Sequence, residues 1–328
     1  AELLPHLEAI LAVYNLAGRR DNKYKARIKI LLQSMGKNSF KQAVIENLPR
    51  FRDDNNSLHI ESLQQILDRF ETEPFAPRGS GTYWDAIDAR PDFRAWVERN
   101  VTPHREEGYA SVTVSLKAHG HTPGDATAAQ MRALARLAEQ VGFNELRVSH
   151  EQNIVLPHVA QADLLEVYDS LRAVHLATAN IGLASDLIAC PGMDYCALAT
   201  ARSIPIGQQI ALRYQQQEHE LGPLKIKISG CINACGHHHV GDIGVLGLDK
   251  AGVENYQITL GGRTGMSAAL GQKMGPGFTE PELMEALDRL FSAYLTLRRA
   301  NTETFAQAVT RLGVEPFRSA LYEVAHAV

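Results

Sequence analysis

The sequence predicts an α+β protein with an additional α/β part. Two observations carry this prediction. Between residues 110 and 174, segments with strand and helix periodicity follow one another in the order β-α-β-β-α. After residue 183, short apolar strands alternate with glycine-containing turns and helices, which is the pattern of an α/β domain. With 328 residues, the chain is long enough for two or three domains with well-buried cores.

The first segment, residues 1 to about 36, is predicted to be helical. Four apolar residues recur there at helical spacing: Leu4, Leu7, Ile10 and Leu11. A second helix is predicted to begin in NKYKARIKILLQSM and to end at Gly36. We expect an amphipathic helix here rather than a signal peptide. Residues 45–105 have a mixed pattern and contain PFAPRGSG, a loop signal that could join domains.

The middle segment has the clearest pattern. ASVTVSL alternates apolar and polar residues, which predicts a half-buried strand. TPGDATAAQMRALARLAEQVG predicts a capped helix, ELRVS and NIVLP predict two strands, and QADLLEVYDSLRAV predicts another helix. This order is most of a ferredoxin-like unit.

The last segment, after residue 183, has a different pattern, in which short apolar strands alternate with glycine-containing turns. LKIKIS, IGVLGL and YQITLGG predict apolar strands. One helix is predicted to open at Ser203 with Pro205 in its first turn, and CALATARS is a further candidate helix start. A capping box from Thr279 to Glu282 predicts the start of a long helix.

Composition narrows the possible partners and compartment. The net charge is −4, which gives no indication of nucleic acid or of an anionic membrane as a partner. No apolar run approaches the roughly 20 residues that a membrane-spanning helix needs. Few cysteines and no targeting signal favour the reducing cytosol, so we expect a cytoplasmic protein.

All the cysteines of the chain lie in two short segments, CPGMDYC and SGCINACG. A structural zinc site usually has shorter spacings than the Cys-x5-Cys of the first segment, which disfavours zinc without excluding it. Thioredoxin-like chemistry needs Cys-x-x-Cys, which is absent. Inert buried thiols are a further alternative, made less attractive by two tight pairs in glycine- or proline-containing loops. An iron–sulfur cluster with four cysteine ligands tolerates such spacings.

The two cysteine segments, in this order and about 35 residues apart, resemble those of the siroheme and [4Fe-4S] sulfite and nitrite reductases. RVSHEQNIVLPHV resembles a strand-turn-strand of the ferredoxin-like half-domain of that family. YQITLGG with FTEPELMEALDRLF resembles its C-terminal segment, and NKYKARIK its basic active-site helix. The resemblance extends from about residue 11 to the end and is strongest to the C-terminal portion of an assimilatory sulfite reductase hemoprotein.

The resemblance implies two cofactors, siroheme and a [4Fe-4S] cluster. It implies that Cys235 also bridges the cluster to the siroheme iron and that Asn233 lies against the macrocycle. Many members of the family read Cys-Pro-Asn-Gly-Cys where this chain has Ile232 and Ala234, so this loop is expected to differ in detail. The implied cluster ligands are Cys190, Cys196, Cys231 and Cys235.

The resemblance also implies residues for the substrate anion. Arg27 and Lys29 match two basic substrate-side positions of the family, and Lys at the second position is typical of sulfite reductases rather than nitrite reductases. Their i,i+2 spacing requires a turn or helix end to present both. The alternative interpretation is a solvated basic helix face.

Other polar residues have weaker indications. Gln152 and Asn153 are predicted to lie near the macrocycle, although a polar turn between two strands explains them equally well. For the run His237 to His239 we expect at most a proton donor or a structural role.

The resemblance implies three parts: residues 1–80 as the end of a first siroheme-binding α/β domain with a linker, 81–182 as a ferredoxin-like half-domain, and 183–328 as the α/β siroheme and [4Fe-4S] domain. The implied function is six-electron reduction of sulfite to sulfide, with electrons from a ferredoxin or a flavoprotein. The alternatives are nitrite reduction to ammonia and an incomplete cluster-binding fragment without catalysis. We expect a homologous N-terminal half, not contained in this sequence, to complete the enzyme.

Overall fold

The computed structural model of the chain describes residues 2–22, 24–52, 60–70, 75–76 and 83–323. The chain divides into two compact units, residues 1–74 (unit 1) and residues 75–328 (unit 2). Most of the segment PFAPRGSG, predicted to be a loop, lies outside the described residues. Within the described ranges, no helix is both long and apolar enough to cross a bilayer.

Unit 1 is helical where it is described. Its small core lies between α1, α3 and the turn after α3, and it includes Val13, Val44 and Leu48. Gly36 ends α2 with a φ of 84°, as predicted. The helices are α1 (Leu3–Ala17), α2 (Ile28–Met35), α3 (Lys37–Asn47) and α4 (Ile60–Asp68).

The second helix begins later than the sequence predicts. Its first residue is Ile28, so most of NKYKARIK lies before it. Asn22 explains the difference, because its side-chain oxygen accepts a hydrogen bond from the backbone N–H of Tyr24 at 3.0 Å and its carbonyl accepts one from Lys25 at 2.9 Å. Asn favours such local turns over a helix.

The first part of unit 2 is built on a four-stranded antiparallel sheet in the order β1-β2-β4-β3, called sheet A. The predicted order β-α-β-β-α is confirmed as β2-α7-β3-β4-α8. Trp96, Val112 and Leu156 are fully buried in its core. The strands are β1 (Val101–Pro103), β2 (Tyr109–Val114), β3 (Arg147–Val148) and β4 (Ile154–Ala160), and the helices are α5 (Tyr83–Ala89), α6 (Pro91–Asn100), α7 (Ala128–Val141) and α8 (Leu164–Ala173).

The second part of unit 2 is built on a five-stranded sheet in the order β5-β6-β7-β8-β9, called sheet B. The first three of these strands are parallel, and β8 and β9 run antiparallel to their neighbours. The strands are β5 (Ile188–Ala189), β6 (Ile226–Ser229), β7 (Ile243–Lys250), β8 (Val253–Leu260) and β9 (Gln272–Lys273). The helices are α9 (Gly192–Tyr195), α10 (Ile204–Tyr214), α11 (Glu218–Leu221), α12 (Glu280–Leu297), α13 (Phe305–Leu312) and α14 (Glu315–Tyr322).

Two of the three helix starts that the sequence predicts for this part are present in the structure. The capping box predicted from Thr279 to Glu282 opens α12, and Ser203 is the N-cap of α10. The prediction of a helix start at CALATARS is wrong, because residues 196–202 form turns. The backbone N–H groups of Thr200 and Ala201 donate to the carbonyl of Gly230 at 2.8 and 3.0 Å instead of to a helix.

Candidate metal centre

The two cysteine segments lie at the same edge of sheet B. Cys190 directly follows β5, and Cys231 follows β6 after one glycine. The two strands are parallel neighbours in which Ala189 is paired with Ile228. Because the carboxyl ends of parallel strands meet at one edge of a sheet, the two cysteine loops begin side by side.

Gly230 links the two loops. Its carbonyl accepts hydrogen bonds from the backbone of Thr200 and Ala201, and its N–H donates to the Cys190 Sγ at 3.1 Å. A Cβ atom at position 230 would lie 2.5 Å from the carbonyl oxygen of Ala201. Glycine is therefore needed here so that the two loops can pack together.

The four thiols differ in their access to solvent. Cys190 and Cys231 are buried, each with 8% of its surface exposed, whereas Cys196 is half-buried and Cys235 is exposed. All four are free thiols. In the described part of the chain, no three His, Cys, Asp or Glu side chains are grouped as ligands for one metal ion. A cubane cluster needs a wider arrangement of ligands than a single metal ion, because each of its irons takes a separate cysteine.

The second cysteine loop contains a backbone conformation that favours glycine. Ala234 has a φ of 59°, in the left-handed region that costs an L-residue about 1–2 kcal/mol. Its N–H donates to the carbonyl of Cys231 at 3.1 Å, which closes the turn. Asn233 is half-buried in this turn. Ala234 therefore occupies a strained position between Cys231 and Cys235.

Gln152 and Asn153 lie in the turn between β3 and β4, and both side chains are engaged by the protein. The Gln152 amide bonds the backbone of Ala189. The Asn153 side chain is buried; its oxygen accepts from the N–H of Leu116 at 3.2 Å and its nitrogen donates to Asp186 Oδ1 at 2.9 Å. Both residues thus contact the segments that lead into the first cysteine loop. Their roles as cofactor contacts stay predictions.

A buried ion pair lies beside the Gln152–Asn153 turn and was not predicted from the sequence. Lys117 Nζ lies 2.7 Å from Asp186 Oδ1, and the two side chains are only 1% and 4% exposed. The lysine also donates to the carbonyl of Glu151. The sequence holds a signal for it, since Lys117 directly follows the apolar strand ASVTVSL. A charge at the end of a buried strand needs a buried partner.

Arg27 and Lys29 lie at the start of α2 in unit 1. Arg27 is the N-cap, with extended backbone (φ −135°, ψ 140°), and Lys29 lies in the first turn. Both side chains are exposed. A helix end thus presents both residues, as their spacing requires, and their role with the substrate stays a prediction.

The histidine run divides into different environments. His237 is exposed with a left-handed φ of 55°, whereas His238 is only 1% exposed. Burial, with a smaller contribution from His239, lowers the pKa of His238 to about 4. Its Nδ1 is buried without a hydrogen-bond partner among the described residues. His238 is therefore neutral at physiological pH, as a structural role requires.

Comparison with profiles of protein families identifies the family of the chain. The profile described as "Nitrite and sulphite reductase 4Fe-4S domain" matches residues 1–51 and 185–327. The chain belongs to this family. The profile "Nitrite/Sulfite reductase ferredoxin-like half domain" matches residues 103–174, which contain the strands β2 to β4 of sheet A. Both the family and the fold class expected from the sequence are confirmed.

The relatives of the chain are named as reductases of nitrite or of sulfite, the two anions considered above. The chain is 30% identical to the chloroplastic ferredoxin–nitrite reductase of Zea mays over 82% of this chain and 43% of that protein. It is 29% identical to sulfite reductase [ferredoxin] 1 of Mycolicibacterium paratuberculosis over 64% of this chain and 40% of that protein. The chain thus spans about half the length of the relatives it matches, or less.

A solved structure shares the fold. The NirA protein of Mycobacterium tuberculosis superposes with a TM-score of 0.63 at 23% identity, over 96% of this chain and 53% of that chain.

Family membership implies siroheme and a [4Fe-4S] cluster, the two cofactors expected from the sequence. The residues fit them: four free thiols lie in two linked loops, a backbone N–H points at the sulfur of Cys190, and Cys235 is exposed where a second cofactor could reach it. When bound, the cluster supplies single electrons and the siroheme supplies an iron that binds the anion.

Proposed function

We propose that this chain is the cluster-binding part of a reductase that converts sulfite to sulfide with six electrons. The observation that carries the proposal is the pair of cysteine loops joined through Gly230 at the carboxyl edge of β5 and β6. Loops at this edge are where ligands bind in parallel sheets. The membership in the nitrite and sulphite reductase family supports the same chemistry.

The proposed cluster ligands are the four cysteines. Their sulfurs should lie within about 7 Å of one another when the cubane is bound. Cys235 is proposed as the ligand shared with the siroheme iron, and its exposure supports this choice over the buried Cys190 and Cys231. Asn233, two residues before it, is proposed to contact the macrocycle.

Arg27 and Lys29 are proposed to bind the substrate anion. Both are exposed cations at the start of one helix, and positive charge stabilises a bound dianion and assists its protonation. Lys29 favours sulfite, because Lys at the matching position is typical of the sulfite reductases that the sequence resembles. Nitrite is the second candidate, supported by the 30% identity to the maize nitrite reductase.

The remaining parts of the proposal concern partners, location and organisation. Ferredoxin is the proposed electron donor, supported by the names of the maize and mycobacterial relatives. A homologous N-terminal half is proposed to complete the enzyme, because the chain spans only 43% of the maize protein. A cytoplasmic location is supported by four free thiols. The three-part division at residues 80 and 182 is retained as a proposal.

The first experiment is a visible spectrum and an iron and sulfide analysis of the holo-protein, expressed together with the proposed N-terminal half and purified anaerobically. Siroheme gives a Soret band and red bands, whereas a bare cluster gives a broad shoulder. Sulfide and ammonia are then measured with sulfite and nitrite as substrates. Faster sulfide production supports the proposal, and faster ammonia production supports the second candidate. A cluster without siroheme and without turnover would instead identify a non-catalytic cluster protein.

The ligand assignment predicts different outcomes for two cysteine variants. Cys235→Ser should disturb both centres, because an alcohol is a poor ligand for soft iron sites. Cys190→Ser should disturb the cluster and leave unchanged Cys235, the residue proposed to hold the siroheme. Iron content, chromophore spectrum and sulfide production are compared for both. A native siroheme spectrum in Cys235→Ser, together with an altered one in Cys190→Ser, would place the bridge in the other loop.

The substrate assignment predicts a specific loss for Lys29→Met. Sulfite turnover should fall by at least about tenfold, in line with the loss of one stabilising charge, while the melting temperature changes little. Lys41→Met, which removes an exposed lysine from α3 of the same unit, is the matched control. Equal turnover for the two variants would show that Lys29 is only part of a solvated face.

A further inference from the structure

The strand that leads to Cys190 lies at the edge of sheet B. Among the residues that the structure describes, β6 is the one strand that flanks β5 in this sheet. The N–H of Cys190 donates to the carbonyl of Ile228 on β6 at 3.1 Å. Because backbone groups of successive residues in a strand point to opposite sides, the N–H and C=O of Ala189 point away from β6. These two groups need partners from outside the sheet.

Gln152 supplies both partners. Its Nε2 donates to the carbonyl of Ala189 at 2.7 Å, and its Oε1 accepts from the N–H of Ala189 at 3.1 Å. The side-chain amide thus makes the same pair of hydrogen bonds that a neighbouring strand would make. It does so for the residue directly before Cys190.

The backbone of Gln152 is bent to reach this position. Its φ is 59°, in the left-handed region of the backbone, which residues other than Gly, Asn and Asp rarely adopt. A Cβ atom at Gly124 would lie 2.9 Å from the Gln152 Cβ. The absence of a side chain at Gly124 therefore leaves room for the side chain of Gln152. A disfavoured backbone persists only where surrounding contacts hold it.

The turn that carries Gln152 is itself anchored to the segment before Cys190. Its two ends are joined by a hydrogen bond from the N–H of Ser149 to the carbonyl of Asn153 at 2.8 Å. Asn153 then donates to Asp186, four residues before Cys190, and Asp186 is paired with the buried Lys117. The β3–β4 turn of sheet A therefore contacts β5 at Ala189 and the segment just before β5 at Asp186.

We infer that Gln152 is a positioning residue for Cys190, acting through Ala189 as a substitute edge strand; this inference rests on the proposed role of Cys190 as a cluster ligand. By fixing Ala189, Gln152 also fixes the sulfur that accepts the N–H of Gly230 at 3.1 Å. Hydrogen bonds to ligand sulfurs raise the reduction potential of a cluster. Gln152 therefore tunes the cluster without touching it.

The test uses two substitutions and a control. Gln152→Gly removes both hydrogen bonds and relieves the left-handed backbone, so the chain should fold. We expect a more negative cluster potential, several-fold faster iron loss to a chelator, and faster hydrogen exchange at Ala189. Gln161→Ala, which removes a side-chain hydrogen bond to Tyr109 in sheet A at 3.3 Å, should leave all three readouts unchanged.

Gln152→Glu gives a reversible version of the same test. As a carboxylate it offers no donor to the carbonyl of Ala189, whereas the protonated acid restores the donor and acceptor pattern of the amide. The excess iron loss and the excess hydrogen exchange at Ala189, each relative to the wild type at the same pH, should therefore vanish as the pH falls through the pKa of the new carboxyl group. A merely structural defect would not recover in this way.

The outcomes separate this inference from the proposed function. If the wild-type protein holds no cluster, the proposed function fails, and exchange at Ala189 still decides whether Gln152 protects this strand. If the wild type holds a cluster and both Gln152 variants match it in potential, iron loss and exchange, the positioning role is overturned. Recovery of Gln152→Glu at low pH, with Gln161→Ala unchanged, supports it.

Discussion

The buried histidine His238 predicts how stability depends on pH. Its pKa is lowered to about 4 in the folded chain, below its ordinary value of 6.5, so the unfolded chain binds the proton first as the pH falls. Stability is therefore fully present above about pH 6.5 and is lost as the pH falls towards 4. His238→Phe keeps an aromatic ring in the buried position and removes the titrating group.

The size of the effect follows from the shift. A change from 6.5 to about 4 corresponds to about 3 kcal/mol when complete, at about 1.4 kcal/mol for each pKa unit. Between pH 8 and pH 5, about 2 kcal/mol of this is lost. At pH 8, the phenylalanine variant should be at least as stable as the wild type, because it removes the buried Nδ1 of His238, which has no hydrogen-bond partner in the described part of the chain.

The assay is urea unfolding of both proteins at several pH values from 8 to 5. The free energy of unfolding of the wild type should fall by about 2 kcal/mol more than that of His238→Phe over this range. Acid effects on the cofactors and on other groups are common to both proteins and cancel in the difference. Parallel pH profiles would refute the reasoning, since they would mean that His238 is already solvated or paired.

Two further predictions concern buried groups near the cysteine loops. Lys117→Met should reduce the free energy of unfolding by about 3–5 kcal/mol, because it leaves Asp186 buried without its ion pair. The double variant with Asp186→Leu should recover part of this loss in chemical denaturation, and no recovery would contradict the pairing argument. Gly236→Ala should reduce iron content, because a Cβ there would collide with the carbonyl oxygen of Ile228. Gly252→Ala, where no atom of a described residue lies within 4 Å of the added Cβ, should keep its iron, and equal iron loss in both variants would exclude the steric explanation.

Local sequence predicted those elements whose causes lie within a few residues. The alternation of ASVTVSL and the capping box at Thr279 each depend on near neighbours, and both appear in the structure. The turns of residues 196–202 were missed because their partner is Gly230, about 30 residues away. The later start of α2 was missed because the side chain of Asn22 competes with the helix.

Candidate ligands could be proposed from the sequence, whereas the contacts that position them could not. The cysteines could be singled out because all of them lie in two tight pairs, and the resemblance to the reductase family then implied their role. The contact between Gln152 and Ala189 depends on which strand lies at the edge of sheet B, and this requires the three-dimensional topology. The polar pair Gln152 and Asn153 was recognised, but its partners in the protein were not.

The hydrogen bonds through Gly230 have a consequence for how the centre is assembled. Loops that are joined by backbone hydrogen bonds lose their conformational entropy when the chain folds, and not when iron arrives. Small zinc modules behave in the opposite way, since they are unfolded without their metal. The hydrogen bonds from Thr200 and Ala201 to Gly230 involve no cysteine sulfur, so they favour folding of the loops before the cluster is loaded. A molecule whose cluster is destroyed by oxygen would then remain a competent acceptor for a new one and would not have to be degraded.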